Sequence, residues 1–98
     1  MTTYIVCCSL SKDEKKYKSF LKAIELMDGA KVLTNCWLLN SSRNIDEMRV
    51  ALLPYLEQAD SLFIGAVSGE VAVRNALCGN EMLKKILVDS KQQAEQVK

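Results

Sequence analysis

The chain contains no histidine. A Ser-His-Asp or Cys-His nucleophilic site is therefore excluded. The four cysteines, Cys7, Cys8, Cys36 and Cys78, form no C-x-x-C pair, so nothing signals a structural zinc site. The four glycines stand apart from one another, and neither of the common Gly-rich phosphate loops occurs. No apolar run approaches the ~20 residues that span a bilayer. The first ten residues lack a basic region followed by a long apolar stretch, the pattern of a secretory signal. A cytoplasmic protein with no membrane association and no cofactor is the expectation. An excess of charge is also missing: 13 basic and 12 acidic residues leave a formal +1. Non-specific nucleic-acid binders usually show a larger basic surplus.

Ninety-eight residues, half of them hydrophobic, suit one small folded domain. Thr3 to Cys8 is short, β-branched and apolar on both faces, which predicts a central strand. Cys7 and Cys8 then point to opposite faces and read as small buried hydrophobes. Ser11 and Glu14 have capping-box spacing. Tyr17, Phe20, Leu21, Ile24 and Met27 follow as one helical face. Asp28-Gly29 ends that helix, with Gly29 suited to the left-handed cap position. Lys31 to Leu33 and Cys36 to Leu39 predict two strands around a weakly specified turn at Thr34-Asn35. Asn44 with Glu47 starts a second helix. Its predicted stripe is Ile45, Met48, Leu52 and Tyr55, with Ala51, and Pro54 should distort its last turn. Ser61 to Val67 is the fourth strand.

The order βαββαβ predicts an α+β fold of the ferredoxin-like type. Its four-stranded antiparallel sheet carries two helices on one face. Residues 71 to 87 have mixed helical character, interrupted at Cys78-Gly79-Asn80, and add a C-terminal helical segment, unless Val71 to Val73 instead extend the fourth strand. The domain is placed at residues 1–88, with a polar tail over 89–98.

Most carboxylates fall at helix starts, helix surfaces or loop edges, where they favour helices or solvate the surface. Glu70 stands out because it follows Ser68-Gly69 where the chain leaves the sheet; it reads either as a helix N-terminal charge or as a contact at a dimer or ligand surface. Trp37 lies in a strand. Base stacking on an open sheet face needs paired aromatics with basic and Gly residues on adjacent strands, and no such stretch occurs. Trp37 is therefore assigned to the core or to a dimer interface. Arg43, Arg49 and Arg74, with the lysines of the first helix, are the candidates for a modest basic patch, although a charged helix is usually a solvated face. With Glu70 and Trp37 they make up the candidate partner-binding set.

The segments T-Y-I-V-C-C-S-L-S-K, N-C-W-L-L-N-S-S, I-D-E-M-R-V-A-L-L-P-Y-L, D-S-L-F-I-G-A-V and S-G-E-V-A run co-linearly from Thr3 to Ala72. Together they resemble small bacterial Cas-two-like proteins, relatives of the nuclease subunit of CRISPR spacer acquisition. The resemblance implies a ferredoxin-like fold and a two-fold dimer built along sheet edges or faces. In the nuclease members an aspartate ends the first strand, and two such aspartates across the dimer hold a divalent metal. Cys8 and Ser9 stand at those positions here, and a hydroxyl at Ser9 is a poor substitute for a carboxylate on Mg²⁺. The expectation is a non-catalytic, homodimeric binding module with no metal site and no catalytic residues, in a mobile-element or defence setting. A protein partner is favoured slightly over nucleic acid because the net charge is low. The alternatives are a metal-dependent endoribonuclease or toxin-like enzyme with a degenerate site, and a small-ligand sensor.

Overall fold

The computed structural model describes residues 1–68, 71–72, 74–79 and 81–87. Four strands form one antiparallel sheet: β1 (Thr2–Ser9), β2 (Ala30–Leu33), β3 (Cys36–Ser41) and β4 (Ser61–Val67). The spatial order is β2-β3-β1-β4, so the first strand is central as its two-sided apolar sequence predicts. It pairs Val6 with Trp37 of β3 on one side and with Ile64 of β4 on the other. The split order, with every neighbouring pair antiparallel, is compatible with the ferredoxin-like arrangement.

Alternation along the strands sorts their side chains into two layers. Tyr4, Val6, Trp37 and Leu39 face the helices and pack with Tyr17, Phe20, Ile24, Met48 and Leu52. Cys36 and Leu38 face the other way, where Ala30, Val32 and Ile86 join them. Val71, Cys78, Leu83 and Leu87 are half-buried against that second cluster, and residues 81–87 are helical. The C-terminal segment thus covers much of the sheet face that the two main helices leave bare. The tail over 89–98 lies outside the described residues.

The first helix begins later than its sequence pattern predicts. Glu14–Tyr17 is a single 3-10 turn, and α1 proper spans Lys18–Leu26. Ser11 does not cap it. Asp13 caps the 3-10 turn instead, accepting from the Lys15 amide at 3.2 Å. At the other end Asp28, not Gly29, takes the left-handed conformation, with φ 57°. Gly29 is needed for space instead: a Cβ there would stand 2.6 Å from Ile24 Cγ2 and 3.1 Å from the Ile24 carbonyl oxygen. Asn35 also takes a positive φ of 57° and supplies the β2–β3 turn, one of the residue types that tolerates this region best.

The second helix, α2, spans Ile45–Leu52. Its capping box forms as the Asn44/Glu47 spacing predicts, with the Glu47 amide donating to Asn44 Oδ1 at 2.8 Å and the Asn44 amide to Glu47 Oε1 at 3.0 Å. Pro54 converts the end into a 3-10 turn over Leu53–Tyr55. That change of pitch takes Tyr55, the last position of the predicted stripe, off the buried face. Met48 and Leu52 are fully buried, whereas Ile45 and Tyr55 are each 43% exposed.

Candidate functional site at the end of the first strand

The strand end that carries the metal aspartate in the Cas-two-like pattern is built here from Ser9, Ser61 and Asp60. Ser9 is exposed and pairs with Ser61 at the last rung of the β1–β4 ladder. Asp60 immediately precedes β4 and so adjoins Ser61. Its Oδ1 accepts from the Ser11 amide and the Ser11 hydroxyl, each at 2.7 Å, and from the Tyr17 hydroxyl at 2.8 Å. Its Oδ2 accepts from the Glu57 amide at 2.6 Å. One side chain therefore joins the exit of β1, the first 3-10 turn and the loop that enters β4.

Partial desolvation raises the Asp60 pKa, but the hydrogen bonds from Ser11, Glu57 and Tyr17 outweigh it. The carboxyl is held well below its usual range, as expected for a carboxylate accepting several N–H and O–H donors. Three donors on one oxygen and one on the other leave little capacity for a metal ion. Lys12 and Glu57 make an exposed ion pair beside this clasp at 3.5 Å. Among the described residues, no group of three or more cysteines and carboxylates is arranged to hold a metal.

The three arginines do not converge. Arg43 is exposed at the entry to α2, where its carbonyl accepts from the Tyr4 hydroxyl at 2.6 Å. Arg49 lies on α2 and pairs with Asp46 at 3.7 Å. Arg74 borders an apolar hollow on the opposite face of the sheet, with Ile5, Val32 and Leu38. Acidic neighbours accompany the first two: Asp46 and Glu47 line the same shallow depression as Arg43. These three arginines form no common basic patch.

Trp37 is 4% exposed. Phe20 meets its ring edge-on at 5.9 Å between centroids, and the Lys31 ammonium stands 5.7 Å from its centre. It is a core residue in this chain, and the sheet face opposite the helices carries Ile5, Cys7, Cys36 and Leu38 in its middle rather than aromatics. Glu70 lies outside the described residues.

Two features escaped the reading of the sequence. One is a groove of about 400 Å³ between α2 and β4, bordered by Ile45, Arg49, Leu53, Leu62 and Ile64. The other is Phe63, 63% exposed on β4. Its ring lies along the strand over Gly65, with Cε1 3.3 Å from where a Cβ on that glycine would be. The alternation in S-L-F-I-G-A-V contained part of this signal, since it sets Phe63 and Gly65 on one face.

Comparison with protein-family models, with curated proteins and with solved structures finds no match. Among the described residues no helix is long and apolar enough to cross a membrane.

Proposed function

We propose that this chain is a cytoplasmic, non-catalytic, dimeric binding module with a ferredoxin-like fold of the Cas-two-like type. The observation that carries the reading is the state of the β1 end. Where the nuclease pattern has a metal aspartate there is Ser9, and Asp60, which precedes Ser9's rung partner Ser61, is engaged by four donors. A carboxylate so occupied supports chain connectivity, not Mg²⁺, which prefers carboxylate oxygens left free for it. Dispersal of Arg43, Arg49 and Arg74, together with the formal charge of +1, favours a protein partner over a phosphate backbone.

The test is a cleavage assay on single- and double-stranded RNA and DNA with Mg²⁺ and Mn²⁺, run beside the Asp60→Asn variant. Turnover indistinguishable from buffer is expected for both. Metal-dependent cleavage by the natural chain that is lost in the variant would overturn the reading in favour of a ribonuclease. Nucleic acid that stays bound at low salt and leaves as salt rises would change the class of partner without restoring catalysis.

A further inference from the structure

β1 carries two adjacent cysteines, and alternation sends them to opposite faces of the sheet. Cys8 packs against the helix layer. Cys7 packs in the other layer with Cys36, its rung partner on β3. Cys7 is half-buried and Cys36 is 7% exposed.

The rung that joins them is of the closer kind. The Cys8 amide donates to the Asn35 carbonyl at 3.0 Å, which makes the next rung a hydrogen-bonded one. Bonded and non-bonded rungs alternate in an antiparallel ladder, and Cα atoms across a non-bonded rung are about 4.5 Å apart. A disulfide spans Cα separations of about 4.4–6.8 Å, so this rung lies inside the range, at its short end. The two sulfurs already stand 3.2 Å apart. Closing them to the ~2.05 Å of a bond asks for about 1 Å of side-chain movement. Access is graded along the same rung. Beyond Cys7 it continues to Phe63 of β4, which is 63% exposed. Cys7 thus stands between an exposed residue and the buried Cys36. Burial keeps Cys36 from reagents in solution, but not from a sulfur held beside it.

We propose that Cys7 and Cys36 form a reversible disulfide site that responds to a low-molecular-weight disulfide, with Cys7 as the entry sulfur and Cys36 as the resolving one. The Cys7 thiolate attacks one sulfur of the small disulfide, whose S–S bond breaks, and the small thiolate that leaves takes up the proton Cys7 has lost. Cys36 then attacks Cys7 Sγ in this mixed disulfide. The second small thiol is expelled and takes up the Cys36 proton. Two cysteine thiols are oxidised to one disulfide, and one small disulfide is reduced to two thiols. The new bond ties the central strand to β3 and closes a loop that holds α1 and β2. A bond at the short end of the allowed spacing is held off its preferred geometry, and such bonds are the readily reduced, regulatory ones.

The test equilibrates the reduced full chain with mixtures of oxidised and reduced glutathione, folded and in urea. Intact mass and peptide mapping without reductant are the readouts, beside Cys7→Ala, Cys8→Ala, Cys36→Ala and Cys78→Ala. The expected product in the folded natural chain is an intramolecular bond between Cys7 and Cys36, undone by excess reduced glutathione. It should persist in Cys8→Ala and Cys78→Ala and be absent from Cys7→Ala. Cys36→Ala should hold a single glutathione on Cys7 at a level about tenfold or more above the natural chain, because no sulfur remains to displace it. Mapping of the natural chain decides the pairing even where a variant does not fold. A bond to Cys8 or Cys78 instead, or a Cys7–Cys36 bond that forms only in urea, would overturn the site. Four free thiols in the folded chain, in mixtures that cross-link the unfolded one, would do the same.

Discussion

Cys7 and Cys36 sit directly opposite each other on β1 and β3, with their sulfurs 3.2 Å apart. Both thiols are free. Burial, followed by the hydrogen bond with Cys7, pushes the Cys36 thiol up to about 12. Burial, then the neighbouring Cys7, pushes Cys8 up to about 11. These are packed hydrophobes in the folded chain, since the thiolate is the reactive form.

Alkylation of Cys8 and Cys36 in the folded chain at pH 8 is therefore expected to be much slower than in urea. The same shifts set a stability profile. Above the ordinary thiol value of 9.0 the unfolded chain releases these protons while the folded chain keeps them. Stability then falls as pH rises from about 9 towards 11–12, by linkage. Urea unfolding followed across that interval checks it, and a Cys8→Ala, Cys36→Ala chain should show a shallower fall. An equal slope in both chains would assign the loss to other groups.

Asp60 gives the opposite dependence. Its folded pKa is depressed, so its contribution is complete above the ordinary carboxylate range, near 4, and fades as pH falls below it. Asp60→Asn should lower the melting temperature at pH 7 and flatten the acid side of the stability curve. Tyr17→Phe removes one of the four donors and should produce a smaller change of the same sign. Thermal melts from pH 2 to pH 7 would decide, and an unchanged acid limb in Asp60→Asn would contradict the clasp.

The end of α1 predicts two neighbouring substitutions of opposite sign. Gly29→Ala forces a methyl to 2.6 Å from Ile24 Cγ2 and should cost roughly 1–3 kcal/mol. Asp28→Gly relieves the positive φ at that position and should gain a few tenths to about 1 kcal/mol. Denaturant midpoints for the pair, with unchanged slopes, are the measurement. A gain from Gly29→Ala would mean that Gly29 sits farther from Ile24 than it does here.

Asn44→Ala removes the acceptor for the Glu47 amide and should destabilise the chain by about 1 kcal/mol. Asn44→Asp keeps an acceptor at the positive end of α2 and should retain most of that stability. Exchange rates of the first α2 amides would show whether the effect is local, as a cap requires.

Much of the fold was legible from the residues because the signals were local. β4 begins and ends where its apolar run does, and Asn44 with Glu47 announces a cap that forms. The misreadings share a cause. Ser11 has the spacing of a capping residue, but its amide and hydroxyl find Asp60, 49 positions away. Tyr55 has helical spacing, but Pro54 tightens the last turn and Tyr55 is left 43% exposed. The candidate site was less legible than the fold. Ser9 could be singled out by position along the chain, whereas what surrounds it depends on which loop the last rung of the sheet brings near.

The sequence by itself determined the strands, the start of the second helix, and the exclusion of histidine chemistry, because those follow from residue type and short-range periodicity. Tertiary structure decided the rest. It set β1 between β3 and β4, closed Asp60 over Ser11, Tyr17 and Glu57, and drew Cys7 against Cys36. Each of these is a meeting of residues far apart in the chain, and their pairing is selected by packing of the whole sheet, not by any local preference.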